Sequence, residues 1–285
     1  MRIPAFTFAC LLLAALTACK KADFRKARID EVTVQSSFTQ QDYLIRILLP
    51  EGYAEDREYP LVVLLDGFFH FEELGPDVVE MMQEGEIEDV IVAGIFYEDY
   101  PFEGKPGNLD NLSAIWDLRR TDLTFPADTI DPANQASGNA PAFFQFLTTE
   151  LAPVLETAYS TDTTRRTLLG HSFGGYFALY QLLTHPNTPF YKRIGSLSPA
   201  VQWQDEYIFG LEEAAHLANA ALDVDLYMGI GSLEGAEWNI LVEAFGEQLR
   251  EHAYPGLRLK VENYPGGHTY SANPGFINAL RFLDE

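Results

Sequence analysis

The sequence Gly170-His171-Ser172-Phe173-Gly174-Gly175 contains the pattern Gly-x-Ser-x-Gly. Residues 165–169 precede it and are predicted to form a buried strand, because they end in an apolar run. Residues 176–185 follow it with the apolar spacing of a helix and end before a proline. A Gly-x-Ser-x-Gly pattern between a strand and a helix is typical of a nucleophile elbow, the sharp turn that presents a reactive serine.

Ser172 is therefore the predicted nucleophile. The turn strains the serine backbone and exposes its hydroxyl above the sheet, and glycines allow the strand and the helix to approach closely. The start of the helix also favours negative charge beside the serine. The alternative is a glycine-rich turn with an ordinary surface serine, but such a turn needs neither three glycines nor these flanking elements. His171 is predicted to pack beside the turn rather than to act as a base.

The length and composition favour one large globular domain. The chain has 285 residues, of which 47% are hydrophobic and 13% aromatic, which is enough for an extensive core. Its formal net charge is −23. A surface this acidic repels nucleic-acid backbones and anionic lipid headgroups, so no nucleic-acid partner is expected.

Residues 1–18 resemble a bacterial lipoprotein signal peptide. Arg2 precedes a short apolar run, and Leu16-Thr17-Ala18-Cys19 resembles a lipobox. An ordinary secretory signal is the alternative, but it leaves Cys19 as a lone exported thiol, since Cys10 lies within the signal. We therefore predict lipidation of Cys19, a tether over residues 19–31, and export to the bacterial cell envelope, with the membrane bound through the lipid anchor.

From residue 32 onward, strands and helices alternate without an internal repeat. Residues 32–39 and 43–49 are predicted to form an antiparallel pair, and the apolar runs 61–65 and 90–95 to form parallel strands buried on both faces. Further strands are predicted near 165–169, 194–197, 224–229 and 257–264, and helices over 70–83, 141–159, 176–185, 238–252 and 275–283. This order predicts one α/β domain over residues 32–285, with a mostly parallel central sheet and helices on both faces.

Residues 98–139 interrupt this alternation. The segment is rich in Pro, Gly, Asn and Asp and shows little periodicity, so a long loop is predicted. Loops of this length are often lids or binding loops, and a surface excursion without a role is the alternative.

The serine needs a base, because a hydroxyl does not attack an ester at neutral pH without one. His268 follows the last predicted strand, at the carboxyl edge of the sheet where Ser172 also emerges and where ligands bind in such folds. It is the predicted base, with a solvent-exposed loop histidine as the alternative. The other histidines are predicted to lie in helices or beside the elbow: His70, His171, His185, His216 and His252.

The base needs a carboxylate that orients it and stabilises its charged form. In hydrolases with this elbow the acid lies between the serine and the histidine in the chain, after the strand predicted at 224–229. Glu234 comes early in the following loop and is the predicted acid. Glu237 is expected in the first helical turn, where the helix dipole favours a carboxylate. Asp205 and Asp225 are less favoured alternatives.

Two backbone N–H groups are predicted to stabilise the oxyanion. One belongs to Phe173, the residue after the nucleophile. The other belongs to Phe68, because Gly67 allows the chain to turn that amide toward the site. The interpretation of Asp66-Gly67 as a simple strand-ending turn is compatible with this role.

The chain resembles the "Putative esterase" family of α/β hydrolases, which contains siderophore trilactone esterases, esterase D and mycolyl transferases. The resemblance extends from about residue 32 to the end and is most specific at the elbow. The segments that carry it are 64–67 (LLDG), 165–180 (RRTLLGHSFGGYFALY), 196–199 (SLSP), 231–234 (GSLE) and 267–268 (GH).

The resemblance implies an α/β-hydrolase fold and assigns the nucleophile, acid and base to Ser172, Glu234 and His268, with oxyanion donors at Phe68 and Phe173. The chain departs from the family at two motifs. Members often have Ser-Pro-Ser-x-Trp-Trp where this chain has SPAVQW at 198–203, and Asp-x-Thr-Pro where it has DLTF at 122–125. Both motifs lie near the expected substrate edge, so no substrate is transferred. Trp203 is expected either to line the pocket or to pack in the core.

These observations predict a serine hydrolase that cleaves small-molecule carboxylic esters through an acyl-serine intermediate. Two alternatives stay open: an acyltransferase that uses the same acyl-enzyme, and a non-catalytic binding lipoprotein of the same fold. The sequence contains no HExxH motif, Walker A motif or Rossmann fingerprint, so neither a metal nor a cofactor is expected.

Overall fold

The computed structural model describes residue 24 and the ranges 27–97, 109–131, 136–268 and 272–285. The predicted signal peptide and Cys19 lie outside these residues. The strands are β1 (Arg28–Gln35), β2 (Asp42–Leu49), β3 (Tyr59–Leu64), β4 (Ile91–Tyr97), β5 (Thr161–His171), β6 (Arg193–Leu197), β7 (Asp225–Gly231) and β8 (Arg258–Tyr264). Within the described ranges, no helix has both the length and the apolar composition needed to cross a bilayer.

The described helices alternate with the strands along the chain. They are α1 (Gly67–Glu84), α2 (Leu109–Leu123), α3 (Ala140–Gln145), α4 (Ala152–Ala158), α5 (Phe173–Thr184), α6 (Trp203–Leu217), α7 (Ala236–His252) and α8 (Ala272–Asp284). A π-helical turn, Phe146–Leu151, joins α3 to α4, so the helix predicted over 141–159 is continuous in direction but locally widened.

The strands form one sheet in the order β1-β2-β4-β3-β5-β6-β7-β8. The pairs β1–β2 and β2–β4 are antiparallel, and every pairing from β4 through β8 is parallel. Helices α1 and α8 pack against each other on the sheet, while α5 packs on β5 and β6 and contacts α2, α3 and α6. The predicted α/β-hydrolase architecture, a mostly parallel sheet between helices, is confirmed.

The first strand begins earlier than its sequence pattern predicts. β1 starts at Arg28, inside the range predicted as a tether, and pairs with β2 from Arg28 opposite Leu49 onward. This edge strand buries only Val34 fully, and its first half is rich in charged residues. The apolar alternation that reveals a half-buried strand is therefore missing from its first residues.

The prediction of a loop throughout 98–139 is wrong for residues 109–123, which form α2. Four buried residues of this helix, Ile115, Arg119, Asp122 and Leu123, lie at the spacing of one helical face. Two of the four are charged, so the face has no apolar periodicity in the sequence. The helix was not predicted because a hydrophobic pattern does not represent buried charged side chains.

Asp122 predicts a pH-dependent stability. Burial raises the pKa of this carboxyl to about 7, although the hydroxyl of Tyr43 donates to it at 2.7 Å. The folded protein therefore holds a proton that the unfolded chain releases, and the free energy of unfolding falls as the pH rises from about 4 to about 7. The loss is on the order of 4 kcal/mol at most, at 1.36 kcal/mol per pKa unit.

We expect Asp122→Asn to remove most of this pH dependence, because an amide carries no charge and its oxygen still accepts the Tyr43 hydrogen bond. Urea denaturation of both proteins at pH 5 and pH 8 measures the effect. The variant should gain stability relative to the wild type at pH 8 and match it at pH 5. An equal pH dependence in the two proteins would contradict the assignment to Asp122.

Candidate active site

Ser172 lies between the last residue of β5 and the first residue of α5, with φ 61° and ψ −118°. A positive φ is unusual for a residue with a side chain and costs about 1–3 kcal/mol, so the surrounding structure must hold the turn in place. The Ser172 N–H donates to the carbonyl of Leu197 at 2.9 Å, and its carbonyl accepts from the N–H groups of Tyr176 and Ala200. The strand, the helix and the loop after β6 together fix this strained serine.

The glycines on the two sides of Ser172 are required for space. A Cβ at Gly170 would collide with the backbone carbonyl of Gly174, and a Cβ at Gly175 would lie 2.7 Å from the carbonyl oxygen of Leu197. Both obstacles are backbone atoms, which cannot rotate away as a side chain can. The close approach of strand and helix therefore excludes any other residue at these positions.

A cavity of about 220 Å³ opens at the carboxyl ends of the parallel strands, beside Ser172. Its walls combine aromatic, histidine and charged side chains: Phe69, His70, Glu73, Trp116, Arg119, His171, Ser172 and His268. Ser172 and His268, which are 96 residues apart in the chain, thus line one small cavity. A cavity of this volume holds a small group rather than a whole large ester.

Glu234 holds the ring of His268. Its Oε2 lies 2.6 Å from Nδ1 of His268, and its Oε1 accepts from the hydroxyl of Ser198 and, at 2.7 Å, from the N–H of Gly231. Burial by itself raises the pKa of a carboxyl, and the side chain of Glu234 is 0% exposed. The hydrogen bonds from His268, Ser198 and Gly231 outweigh burial and hold the pKa of Glu234 below its ordinary value. Glu234 is therefore a carboxylate at neutral pH.

Two aromatic rings pack against the imidazole of His268. The ring of His171 lies 4.6 Å from it and the indole of Trp238 lies 4.4 Å from it, measured between centroids. Trp238 is itself fixed by a hydrogen bond from its indole N–H to the carbonyl of Pro199, at 2.9 Å. The imidazole is thus restrained by two rings and one carboxylate, unlike a histidine on a mobile loop.

The other carboxylates considered as the acid lie elsewhere. Glu237 is exposed in the first turn of α7, as the dipole argument predicts. Asp225 pairs with Arg258 at 2.7 Å, and Asp205 is exposed on α6. The structure brings only Glu234, of these four carboxylates, to His268.

The two histidines nearest to His268 are buried and neutral. His171 packs at the turn, as predicted, and burial holds its pKa well below the ordinary value. His70, on α1, lines the same cavity, and burial lowers its pKa to about 4. Neither carries charge at neutral pH, so they contribute aromatic surface rather than positive charge to the cavity.

The remaining histidines lie away from the cavity. His185 ends α5, where its Nδ1 is 3.3 Å from the carbonyl of Gln181, at the helix terminus predicted for it. His216 on α6 and His252 on α7 stack at 3.8 Å, beside the buried carboxylate of Glu212. These contacts lie at the end of one helix or between two helices, and none of them involves Ser172.

The predicted oxyanion donors both lie in the first turn of a helix. Phe68 is the second residue of α1, and Phe173 is the first residue of α5. The first N–H groups of a helix have no acceptor within the helix, which suits them to bind an anion. The reason predicted for Gly67 is wrong, because the positive φ of 52° belongs to Asp66. Gly67 is needed for space instead, since a Cβ there would lie 2.7 Å from the ring of Phe96.

Arg119 is a residue of the site that the sequence pattern missed. Its guanidinium forms two hydrogen bonds to the carboxylate of Asp66, at 3.0 and 2.7 Å. The two side chains are 2% and 1% exposed, and the ring of Trp116 stacks 4.6 Å from the guanidinium carbon. The pair joins α2 to the turn before α1, directly behind the cavity. The nearest signal was the Asp-x-Thr motif that starts three residues later, within the segment interpreted as a loop.

We expect Arg119→Met to destabilise the protein by about 3–5 kcal/mol, because the buried carboxylate of Asp66 loses its partner. Equilibrium urea unfolding followed by circular dichroism measures the change. The double variant Asp66→Asn/Arg119→Met should recover part of the stability, since it removes the uncompensated charge. Equal stability of the single and double variants would contradict a charge-pairing role.

Trp203 packs rather than lining the cavity. Its ring meets Phe173 edge-on at 5.4 Å, its indole N–H donates to the carbonyl of Pro126 at 2.9 Å, and it is 7% exposed. The packing alternative for this tryptophan therefore holds.

The elbow, the mostly parallel sheet and the serine–histidine cavity define an α/β hydrolase of the serine type. The chain belongs to the family described as "Putative esterase", whose model matches residues 36–282. It is therefore a carboxylic ester hydrolase.

Similar proteins include esterases from two bacteria. The ferri-bacillibactin esterase BesA of Bacillus subtilis is 27% identical over 272 residues, which cover 88% of each chain. The apo-salmochelin esterase of Escherichia coli is 29% identical over 159 residues, which cover 56% of this chain and 47% of that relative. The crystal structure of the BES protein from Bacillus cereus superposes with a TM-score of 0.76 at 25% identity, covering 90% of this chain and 95% of that one.

Proposed function

We propose that this protein hydrolyses siderophore esters with a catalytic triad of Ser172, His268 and Glu234. The observation that carries the proposal is the contact of 2.6 Å between the buried carboxylate of Glu234 and Nδ1 of His268, on a histidine that shares a cavity with Ser172. A carboxylate on Nδ1 places the proton there and leaves Nε2 as the basic nitrogen.

In the first half of the reaction, Nε2 of His268 takes the hydroxyl proton of Ser172 while Oγ bonds to the ester carbonyl carbon. The N–H groups of Phe68 and Phe173 stabilise the resulting oxyanion. When the C–O bond to the leaving alcohol breaks, His268 returns the proton to that oxygen, which gives an acyl-serine and a free alcohol. Glu234 stabilises the positively charged imidazole throughout this half-reaction.

The second half repeats the sequence with water. His268 takes a proton from water as its oxygen attacks the acyl carbon, and then returns the proton to Oγ of Ser172. The products are a carboxylic acid and the regenerated serine. Passing the acyl group to another alcohol instead of water would give the acyltransferase alternative, which product analysis with added alcohols distinguishes.

The substrate class is inferred from the relatives and from the cavity. Two similar proteins are named for siderophore esters. The rings of Phe69 and Trp116, 5.7 Å apart between centroids, form an aromatic wall suited to a flat acyl group. A cavity of about 220 Å³ admits one such group while the rest of a larger ester stays outside.

The test uses the full chain extracted in detergent, with p-nitrophenyl butyrate and an iron-free trilactone siderophore as substrates. Release of p-nitrophenol and of the linear, hydrolysed siderophore, together with labelling of Ser172 by a fluorophosphonate, is the expected result. Failure to turn over either ester and failure to label Ser172 would favour the non-catalytic binding lipoprotein of the same fold.

We also propose that the enzyme acts at the bacterial cell envelope, anchored through a lipid on Cys19. The support is the lipobox pattern at residues 16–19 and the absence of any other cysteine after the signal. Incorporation of a labelled fatty acid that disappears in Cys19→Ala would test the anchor.

A further inference from the structure

The charges around the cavity are predominantly negative. Arg119 is the one lysine or arginine among the described residues that line it, and its charge is offset by the carboxylate of Asp66. Glu73 lines the cavity, is exposed to solvent, and takes part in none of the ion pairs between described residues. Glu234 adds a further carboxylate behind His268. Around the cavity, the positive charge of Arg119 is thus outnumbered by the carboxylates of Asp66, Glu73 and Glu234.

The histidines of the cavity wall do not reverse this balance. His70 and His171 are held neutral by burial, since the pKa of His70 is about 4 and that of His171 lies well below its ordinary value. None of the three segments after residue 97 that separate the described ranges carries a net positive charge in the sequence. Residues 98–108 contain three carboxylates and one lysine, and residues 132–135 and 269–271 contain no charged side chain.

A siderophore ester that binds iron through catechol groups exists in two forms with very different charges. Ferric iron is held by hard anionic oxygen ligands, and three doubly deprotonated catechol groups around it make the complex a trianion. Without iron, the phenolic hydroxyls keep their protons at neutral pH, because phenols of the tyrosine type have a pKa of about 10. The iron-free ester is therefore nearly neutral.

We propose that this site selects the iron-free form of its siderophore ester over the ferric complex, and that Glu73 is the residue that determines this preference. The proposal rests on the hydrolytic function proposed above. A trianion that approaches the cavity meets Glu73 without a compensating free cation, and the whole chain carries a formal charge of −23. Long-range repulsion slows its encounter with the protein, and local repulsion weakens its binding. A neutral ester meets neither barrier and gains the contacts with Phe69 and Trp116.

Membership of the family does not decide whether the substrate is the ferric or the iron-free form. One relative is named for an iron-loaded siderophore and the other for an iron-free siderophore. The iron state is therefore a property of each chain's own site, and the residues of this cavity provide the means to predict it.

The experiment compares kcat/KM of the full chain for one catecholate trilactone in its iron-free form and as the preformed ferric complex. We expect at least a tenfold preference for the iron-free form at low ionic strength. The preference should shrink at 0.5 M salt, where the Debye length falls to only a few ångströms. Glu73→Gln should reduce the preference several-fold by improving hydrolysis of the ferric complex.

Glu72→Gln provides the matched control. Glu72 is the adjacent residue of α1, is exposed, pairs with Arg46 and does not line the cavity, so the same change in net charge there should leave the preference unaltered. An equal effect of the two variants would overturn the role of Glu73 and assign the preference to overall charge.

The outcomes separate this inference from the proposed function. Equal or faster hydrolysis of the ferric complex would overturn the inference and leave siderophore hydrolysis intact. If the protein hydrolyses p-nitrophenyl butyrate but neither form of the siderophore, then siderophore esters are not its substrates and the inference fails with that proposal. A wild-type protein inactive on all three esters would count against the hydrolytic function itself.

Discussion

Ser172→Ala is expected to lower kcat for p-nitrophenyl butyrate by at least about 10⁴-fold while the protein keeps its fold. In the proposed mechanism the substitution removes the oxygen that forms the acyl-enzyme, and no other described group in the cavity is placed to attack from the top of the elbow. Residual turnover would come from the oxyanion donors and from binding alone. Steady-state kinetics with circular dichroism and thermal unfolding on the same preparation measure both parts of this prediction.

The control for this variant is Ser160→Ala. Ser160 directly precedes β5, at the opposite end of the strand from the elbow, and its hydroxyl donates to the carbonyl of Glu55 at 2.6 Å. Loss of that hydrogen bond should cost about 1 kcal/mol of stability and leave kcat unchanged. Retention of more than a few per cent of the wild-type rate in Ser172→Ala, with the control fully active, would show that Ser172 is not the nucleophile.

Glu234→Gln is expected to lower kcat by about 10³-fold with little change in KM. The amide has nearly the shape of the carboxylate, but its NH₂ group can donate to Nδ1 of His268 and so favour the wrong tautomer of the ring. It also removes the negative charge that, in the proposed mechanism, stabilises the imidazolium in the transition state. Because the side chain of Glu234 is buried behind His268 and does not line the cavity, binding of the ester should be almost unaffected.

Glu237→Gln is the matched control for the proposed acid, Glu234. Glu237 is exposed, three residues further along the chain, in the first turn of α7. The same substitution there should change kcat less than twofold and reduce stability by a few tenths of a kcal/mol through the helix dipole. If Glu237→Gln proves to be the inactive variant and Glu234→Gln stays active, the two roles must be exchanged.

Ser198 explains why Glu234 can stay charged in a buried position. It follows β6 with a positive φ of 43°, its N–H donates to the carbonyl of Gly229, and its hydroxyl donates to Oε1 of Glu234. The sequence marked Ser198 as part of a family motif, and the structure shows its hydrogen bond to Glu234. Glu234 lies 36 positions further along the chain, so no local sequence pattern could have shown this hydrogen bond.

The sequence alone determined the parts of this protein that depend on local chemistry. The glycines around Ser172 reveal the elbow because a strained turn and a close strand–helix approach leave no space for a Cβ. The buried strands 61–65 and 90–95 are visible because strands covered on both faces are continuously apolar. The chain order of serine, acid and histidine then placed His268 and Glu234 at the same edge of the sheet.

Only the tertiary structure decided the features that depend on distant, charged partners. Arg119 and Asp66 are buried together, although each alone in the sequence predicts an exposed side chain, so α2 and the back of the cavity were not recognised. The sequence favoured Glu234 over Glu237 by its place in the loop, but only the structure showed the contact of Glu234 with His268 and the positions of Glu73 and Arg119 around the cavity of Ser172. The physical reason is common to all three. Apolar burial produces a periodic pattern in one segment, whereas the energy of a buried charge depends on a partner that only folding brings within reach.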